Sequence, residues 1–268
     1  MLVARVNQFF YSPTHTTQKI VTSIGAGIGI DPMNLIENNF TYPEYADTII
    51  NVEPKDLVII GAPVYAGRIA ITAIERLKTM KFAGNLAVLV AVYGNRHYDD
   101  ALIDLREVAI SLGLHPLAAA AFVGEHSYST RDFPIAKGRP DAEDKKLAIS
   151  FGEKIAKKLR ALKSAKDLPT LELPGTFPLP ERPVLGPAHA ETMPNKCIKC
   201  GDCQTACPTG AIFYKNAYKT TPELCNLCCA CVKACKRRAR VIVSEHIPQI
   251  RENLSQTCAD RKQPEIFI

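Results

Sequence analysis

The sequence predicts an α/β protein with a doubly wound, five-stranded parallel sheet, followed by a small α+β domain rich in cysteine. Two observations support this prediction. Short apolar runs alternate with amphipathic helical patterns over residues 1–164, which is typical of a parallel sheet with helices on both faces. All ten cysteines lie between Cys197 and Cys258, and the preceding 196 residues contain none. The chain is therefore expected to hold two domains of different chemistry.

The predicted elements of the first region follow a regular order. We expect strands over residues 3–11, 33–37, 57–62, 86–93 and 116–123, and helices over residues 15–28, 69–80, 99–112 and 142–162. The third and fourth strands are apolar throughout, as in strands buried on both faces. Both runs are far too short to cross a bilayer as helices, so no membrane association is expected.

Composition points to a soluble globular chain. Apolar residues make up 47% of the sequence, and the mean hydropathy is −0.02. The first ten residues do not have the basic and apolar pattern of a signal peptide, so we expect a cytoplasmic location. Because thiols stay reduced in that compartment, ten cysteines in one segment indicate metal binding rather than disulfides.

The charge is uneven along the chain. Residues 195–268 hold 12 basic and 6 acidic residues, whereas the rest holds 21 of each, so the formal charge of +6 belongs to the cysteine-rich part. A basic segment can indicate nucleic-acid binding. Two thiolate-ligated iron–sulfur clusters, however, would each carry roughly two negative charges and offset most of this excess. We therefore expect no nucleic-acid partner.

Four segments follow from these patterns: a first domain over residues 1–164, a linker over 165–195, the cysteine domain over 196–247 and a tail over 248–268. The linker contains seven of the 19 prolines. Proline-rich segments are stiff and extended. The linker is thus expected either to tether the two domains at a restricted distance or to lie flat against the first one.

The cysteine domain contains an internal repeat. Each half reads C-x2-C-x2-C-x3-C, and every cysteine of the first half recurs 28 positions later. In such a run three thiolates hold one four-iron cluster and the fourth cysteine reaches the other cluster. The repeat predicts two [4Fe-4S] clusters. The ligands of cluster 1 are Cys197, Cys200, Cys203 and Cys235, and those of cluster 2 are Cys225, Cys228, Cys231 and Cys207.

This pattern resembles the bacterial-type two-cluster ferredoxins, in which proline follows the fourth cysteine. Cys207 is followed by Pro208, but Cys235 is followed by Lys236, so the sequence does not predict the geometry of the second turn. Two tetrahedral zinc sites are the alternative, although the third cysteine of each run would then be surplus. Cys229 and Cys258 lie outside the repeat and are expected to be small buried residues.

The loop after the first strand has the composition of a phosphate site. Ser12, Thr14, His15, Thr16 and Thr17 lead directly into a helix, where hydroxyl groups and free backbone N–H groups bind anions. No lysine and no Walker spacing is present, so an uncharged cradle for a monoester phosphate such as that of FMN is expected. An ordinary helix capped by Ser or Thr is the alternative.

The loop also resembles the phosphate loop of the flavodoxin family, with His15 in place of a glycine. Histidine is among the better-tolerated residues at positive φ. The resemblance implies a flavodoxin-like fold in which two further loops enclose the isoalloxazine ring. The residues expected to bind FMN there are Pro63, Val64, Tyr65, Ala66 and Gly67 in one loop, and Tyr93, Gly94, Asn95, Tyr98 and Asp99 in the other.

Together the two regions resemble the flavodoxin–ferredoxin fusion proteins of anaerobic bacteria and archaea. The resemblance implies an iron–sulfur flavoprotein that passes electrons between FMN, the two clusters and a redox protein partner. A reductase of a specific substrate is the alternative and would need a donor such as Arg96, His97 or His126 above the flavin. The flavin and the clusters would exchange electrons within one chain or, as the alternative, between the two chains of a homodimer. No pyridine-nucleotide fingerprint is present, and residues 124–129 are assigned no role beyond His126 as one of these candidate donors.

Overall fold

The computed structural model describes residues 3–45, 50, 52–165, 168–182 and 187–268. Its elements alternate strand and helix in the first region. They are β1 (Val6–Phe10), α1 (Thr16–Ile28), β2 (Leu35–Asn39), β3 (Leu57–Tyr65), β4 (Arg68–Ile69), α2 (Ile71–Leu77), β5 (Leu86–Tyr93), α3 (Ala101–Ser111), β6 (His115–Val123) and α4 (Ala142–Ala161). The cysteine-rich and C-terminal regions add β7 (His189–Thr192), α5 (Asp202–Thr205), β8 (Ile212–Lys215), β9 (Ala217–Thr220), α6 (Ala230–Ala234), β10 (Arg240–Val243), α7 (Ile247–Thr257) and β11 (Glu265–Phe267).

The central sheet has the predicted parallel architecture. Its five parallel strands run in the order β2-β1-β3-β5-β6. This is the flavodoxin-like order of doubly wound sheets, in which ligands bind beyond the carboxyl ends of the strands at the point where the order reverses. Here the order reverses between β1 and β3. The predicted flavodoxin-like fold is therefore confirmed, and the ligand site is expected at that edge.

The core lies on both faces of this sheet because successive strand residues point to opposite sides. In β5, Val88 and Val90 pack with α1 and α4, whereas Leu89 and Ala91 pack with α2 and α3. The contact between α1 and α4 is close enough to require glycine. A Cβ atom at Gly27 would lie 2.0 Å from the carbonyl oxygen of Ile149.

Residues 168–182 of the predicted linker lie against the first domain, whereas its last part forms β7, which pairs with β10 of the cysteine domain. Arg106 Nη1 donates to Leu171 O at 3.1 Å, and Arg68 Nη1 donates to Pro180 O at 2.9 Å. Arg182 Nη2 lies 2.6 Å from Asp104 Oδ2, so the linker also forms an ion pair with α3. Pro183 falls outside the described residues. These contacts favour the linker packed on the domain over a free tether.

The segment that the sequence leaves as a tail folds back onto the first domain. Its strand β11 pairs antiparallel with β6 and extends the sheet at the edge. Asn95 Nδ2 donates to the carbonyl oxygens of Cys258 and Asp260, each at 2.8 Å. Tyr98 donates its hydroxyl to Glu265 Oε2 at 2.6 Å. The C-terminal segment is thereby held beside the carboxyl ends of the strands.

Among the helices in the described ranges, none has the length and apolar character that crossing a membrane requires.

Candidate functional site

The two cysteine runs share one backbone geometry. Three positions in each run have positive φ, and each of these positions recurs at the 28-residue offset of the repeat. The pairs are Lys199 (59°) with Leu227 (56°), Gly201 (90°) with Cys229 (61°), and Gly210 (65°) with Arg238 (51°). Because positive φ is costly for residues other than glycine, these matching angles indicate that the loops are shaped by a common function.

The turn after Cys235 keeps its shape without proline. Arg238 N donates to Cys235 O at 2.9 Å, as Gly210 N donates to Cys207 O at 3.3 Å in the first run. Ala239 N also donates to Cys235 Sγ at 3.1 Å. The substitution of proline by Lys236 therefore does not alter the local turn.

The predicted ligand quartets line two separate cavities. The outer quartet, Cys197, Cys200, Cys203 and Cys235, surrounds a cavity of about 250 Å³ that reaches the protein surface through the exposed Cys200. The inner quartet, Cys225, Cys228, Cys231 and Cys207, lines a second cavity. In both cavities the fourth cysteine comes from the other run.

The chemistry of these thiols fits an iron–sulfur core. All ten cysteines are free. Burial raises the pKa of the Cys231 thiol to about 11 and that of Cys228 well above its ordinary value. Such thiols ionise only when a cation compensates the thiolate, as cluster iron does. No group of three or more His, Cys, Asp or Glu within the described ranges is placed to hold a single metal ion.

The two cysteines outside the repeat are buried, as expected. Cys258 packs with Ile135 and Leu254 in a small apolar cluster. Cys229 is buried beside the inner quartet, and its Sγ lies 3.5 Å from Leu227 O.

A cavity of about 420 Å³ lies at the carboxyl ends of β1, β3, β5 and β6. Eight of the fifteen residues predicted to bind FMN line it: Thr14, Thr16, Pro63, Val64, Tyr65, Ala66, Tyr93 and Gly94. The other seven, which are Ser12, His15, Thr17, Gly67, Asn95, Tyr98 and Asp99, lie outside its walls.

Three of these seven residues shape the loop before α1. His15 has a φ of 61°, the left-handed conformation expected at the position of the missing glycine. Ser12 Oγ accepts from Gln18 N at 3.0 Å, and the buried Thr17 lies beside β3. The N-cap residue, His15, makes no capping hydrogen bond with its own side chain. The helix start therefore keeps backbone donors of the kind that bind phosphate.

The remaining four residues act at the loop after β5. Asn95 and Tyr98 hold the C-terminal segment, as described above. Asp99 forms an ion pair with Arg96 and packs against Gly67, where a Cβ atom would lie 2.5 Å from Asp99 Oδ2. The sequence could not assign this role, because the partners of Asn95 and Tyr98 lie more than 160 residues away.

Three tyrosines line the cavity, and two of them, Tyr65 and Tyr93, come from the loops predicted to bind the flavin ring; the third is Tyr128. Burial raises the pKa of Tyr93 to about 12. Burial also raises the pKa of Tyr65 well above its ordinary value, and the neighbouring thiol of Cys228 adds to this effect. Both rings are therefore neutral and suited to contact a flat heteroaromatic ligand.

The segment after β6, of which only His126 was named as a candidate donor, forms another wall. His126 packs so closely over Gly94 that a Cβ atom there would lie 2.2 Å from its ring. Its Nδ1 accepts from Tyr128 N at 3.0 Å, which places the ring proton on Nε2. Burial, together with the charges of Lys233 and Arg96, lowers the pKa of His126 to about 4. The cavity thus contains a neutral imidazole that donates through Nε2.

An ion pair joins this segment to the cysteine domain. Lys233 Nζ lies 2.6 Å from Glu125 Oε1. Burial alone would raise the pKa of Glu125, but Lys233 and the N–H group of Gly138 hold it below its ordinary value. Lys233 stands between Cys231 and Cys235, so the cysteine domain is fixed to the cavity through its own ligand run.

The cavity and the inner quartet share a wall. Asn226 and Leu227 line both the 420 Å³ cavity and the cavity of the inner cysteines. Asn226 Nδ2 also donates to the hydroxyl of Tyr11 at 2.8 Å. These two residues lie between Cys225 and Cys228, and their position within the ligand run is the only sequence feature that could have indicated this role.

The C-terminal helix completes the enclosure. Ile247, Ile250 and Leu254 of α7 line the cavity together with His246. None of these four residues was predicted from the sequence, because no local pattern indicates that the C-terminal segment contacts the first domain.

Comparisons with known proteins match the cysteine-rich region to iron–sulfur proteins. Residues 189–212 match the 4Fe-4S binding domain family. An uncharacterized ferredoxin of Methanocaldococcus jannaschii is 48% identical over 54 residues, which is 19% of this chain and 36% of that protein. The chain thus spans about a third of the length of the curated relative it matches.

Structures similar to this chain include flavodoxins. A flavodoxin from the domain Archaea is 13% identical, with 58% of this chain and 99% of that one covered and a TM-score of 0.38. Flavodoxin 2 of Bacillus cereus is 14% identical, with 58% and 99% covered and a TM-score of 0.42. A Fusobacterium nucleatum flavodoxin bound to flavin mononucleotide is 14% identical, with 59% and 97% covered and a TM-score of 0.38. The fold assignment here rests on the strand order.

Proposed function

We propose that this chain, which joins a flavodoxin-like domain to a 4Fe-4S ferredoxin-like domain, is an electron-transfer protein. It would carry FMN in the 420 Å³ cavity and one [4Fe-4S] cluster in each cysteine quartet. FMN, when bound, exchanges electrons singly or in pairs, whereas each cluster exchanges one at a time. The protein would therefore connect two-electron and one-electron redox chemistry.

The observation that carries this proposal is the wall shared by the cavity and the inner quartet. Asn226 and Leu227 belong to both sites, so only this short segment separates a bound flavin from the inner cluster. The hydrogen bond from Asn226 to Tyr11 and the ion pair from Lys233 to Glu125 hold the two domains in register. Electron exchange within one chain then requires no homodimer.

The chain's own residues have distinct tasks at the flavin. Thr14, Thr16 and the N–H groups at the start of α1 would bind the phosphate. Tyr65 and Tyr93 would contact the ring, and His126 would donate a hydrogen bond to it through Nε2. The apolar residues of α7 exclude water from this enclosure.

The outer quartet would face a redox protein with an acidic surface. Cys200 is exposed, and Ile198 beside it is 62% exposed. The basic patch around this quartet consists of the exposed residues Lys196, Lys199, Lys236, Arg237 and Arg238. Positive charges around an accessible cluster attract a negatively charged partner and accelerate its association.

Anaerobic purification followed by rapid reduction tests the proposed function. We expect one FMN, about eight irons and about eight sulfides per chain, and a rate of electron exchange between flavin and clusters that does not depend on protein concentration. A colourless, iron-free protein would refute the proposal. Iron without flavin would leave a ferredoxin attached to an inert domain, and a concentration-dependent rate would favour exchange between chains.

Charge reversal tests the basic patch. Lys236→Glu with Arg237→Glu should slow the reduction of an acidic electron acceptor such as a flavodoxin, and the difference from wild type should shrink as salt screens the charges. Lys157→Glu on the exposed face of α4 is the control. Equal slowing by the control variant would argue against a localised docking surface.

A flavin-dependent reductase is the second candidate. Of the three donors that this function predicts, Arg96 and His126 line the cavity, whereas His97 stacks on Tyr98 outside it. An organic substrate that reoxidises the reduced flavin catalytically, with loss of turnover in His126→Phe, would favour the reductase over the carrier.

A further inference from the structure

Arg240 is a buried cation that the repeat does not predict. The residue 28 positions earlier is Ile212, and both side chains are buried, with 2% exposure for Arg240 and 3% for Ile212. The preceding residues of the two runs, Ala211 and Ala239, are identical and equally buried. The second run therefore replaces an apolar core residue with a charged one while keeping the surrounding backbone.

The guanidinium of Arg240 is held entirely by neutral groups. Nη1 donates to Thr192 Oγ1 at 2.7 Å, and Nη2 donates to Ala190 O at 2.8 Å and Thr220 Oγ1 at 2.6 Å. In the part of the chain that the structure describes, no carboxylate pairs with it, and its buried Nε has no hydrogen-bond partner. A buried arginine without a counter-ion is costly, so another negative group must compensate it.

The Arg240 side chain lies beside the cysteine quartets, where a cluster and its thiolates would supply that negative charge. Arg240 lines the cavities of both cysteine quartets, and its Nη2 lies 4.0 Å from Cys231 Sγ of the inner quartet. It shares the wall of the inner cavity with the buried Cys231 and the wall of the outer cavity with the buried Cys203. One cation therefore acts on ligands of both quartets.

We propose that Arg240 is a positioning residue that tunes both clusters by holding a fixed positive charge between them. This inference rests on the proposed function, since it requires both clusters. Reduction of a cluster adds one electron, which comes from the flavin or from an external reductant, and it adds no proton. Because a guanidinium stays protonated throughout, its charge favours the reduced, more negative form of each cluster.

Substitution of the buried charge tests the proposal. In Arg240→Gln, the equilibrium constant for the one-electron reduction of each cluster should fall about tenfold, a shift of about 59 mV to more negative potential, with the larger shift at the inner cluster. The measurement is an electrode or dithionite titration followed by electron paramagnetic resonance. Arg237→Gln, which removes an exposed charge from the outer cavity wall, is the matched control.

Salt separates the buried charge from the exposed one. At about 1 M salt the Debye length is only about 3 Å, so the effect of Arg237→Gln should vanish while that of Arg240→Gln persists. A shift in Arg240→Gln no larger than in the control, in a protein that retains about eight irons, would overturn the proposal. If the wild type itself lacks eight irons, the proposed function fails instead.

A charge-preserving variant keeps the test decisive if Arg240→Gln does not retain its clusters. Arg240→Lys should then bind about eight irons with potentials close to those of the wild type. Retention of clusters by lysine but not by glutamine supports a required charge, whereas a tenfold shift in the lysine variant would show that hydrogen-bond geometry rather than charge is responsible.

Discussion

The two halves of the cysteine domain have the same loop geometry but different surroundings. Their positive-φ positions coincide at the 28-residue offset, so the repeat sets how each run presents its thiols. The outer quartet has an exposed cysteine and a basic rim, whereas the inner quartet shares a wall with the flavin-sized cavity. The two copies of the motif therefore share their loop geometry and differ in their environment. Under the proposed function, that environment decides what each cluster exchanges electrons with.

Removal of the crossing ligands should have the largest effect on this comparison. Cys207→Ala and Cys235→Ala should each lose about four of eight irons. Only Cys207→Ala should also abolish fast electron exchange with the flavin, because it removes the inner cluster. Iron analysis and rapid-reduction kinetics measure both effects.

The control for these variants is Cys229→Gly, which introduces the residue found at the equivalent position of the first run, Gly201. It should retain all the iron, since Cys229 lies outside the ligand set. An uncrossed arrangement would reverse the kinetic result, with slow exchange in Cys235→Ala and not in Cys207→Ala.

The stability of the protein should also depend on pH through His126, which lines the cavity beside the inner quartet. Its pKa falls from 6.5 to about 4 in the folded protein, so between these values the unfolded chain binds more protons. The contribution of this residue to stability is therefore present above about pH 6.5 and is lost as the pH falls toward 4, by about 3 kcal/mol at most.

Urea unfolding at about pH 7.5 and about pH 5.5 measures this dependence. The decrease in unfolding free energy should be smaller in His126→Gln than in wild type, because glutamine does not titrate. Identical pH dependence in the two proteins would contradict the lowered pKa.

Removal of a hydrogen bond between the two domains should have an effect of intermediate size on stability and on electron exchange. Asn226→Ala removes the hydrogen bond to Tyr11 and should cost about 1–2 kcal/mol, because it leaves a buried hydroxyl without its donor. It should also slow electron exchange between flavin and inner cluster. Asn253→Ala on the exposed face of α7 should change neither quantity; an effect of equal size there would indicate a nonspecific loss of stability.

Restoration of the missing proline should have the smallest effect. Cys235 has a ψ of 95°, outside the helical region that a following proline disfavours, and the turn already matches that of the first run. Lys236→Pro should therefore leave iron content unchanged and alter the unfolding free energy by no more than about 1 kcal/mol in either direction. Loss of the outer cluster in this variant would show that the two turns differ in a required way.

Local pattern was sufficient for much of the fold. The apolar runs identified the five parallel strands, and β2 alone is displaced, covering Leu35–Asn39 in place of residues 33–37. The helix expected over residues 69–80 is shorter, because Arg68 and Ile69 form β4 and α2 covers Ile71–Leu77. The later start of α2 follows from the tertiary pairing of β3 with β4, which periodicity does not report.

By itself the sequence determined the sheet, and it predicts which cysteines bind each cluster, because each of these depends on residues close together in the chain or on an exact repeat. The tertiary structure decided the rest. It placed the C-terminal segment in the wall of the cavity, where Asn95 and Tyr98 hold it by hydrogen bonds. It also placed Asn226 between two sites and buried Arg240 between two quartets. These roles arise from contacts between residues distant in sequence, whose partners are chosen by packing and not by spacing.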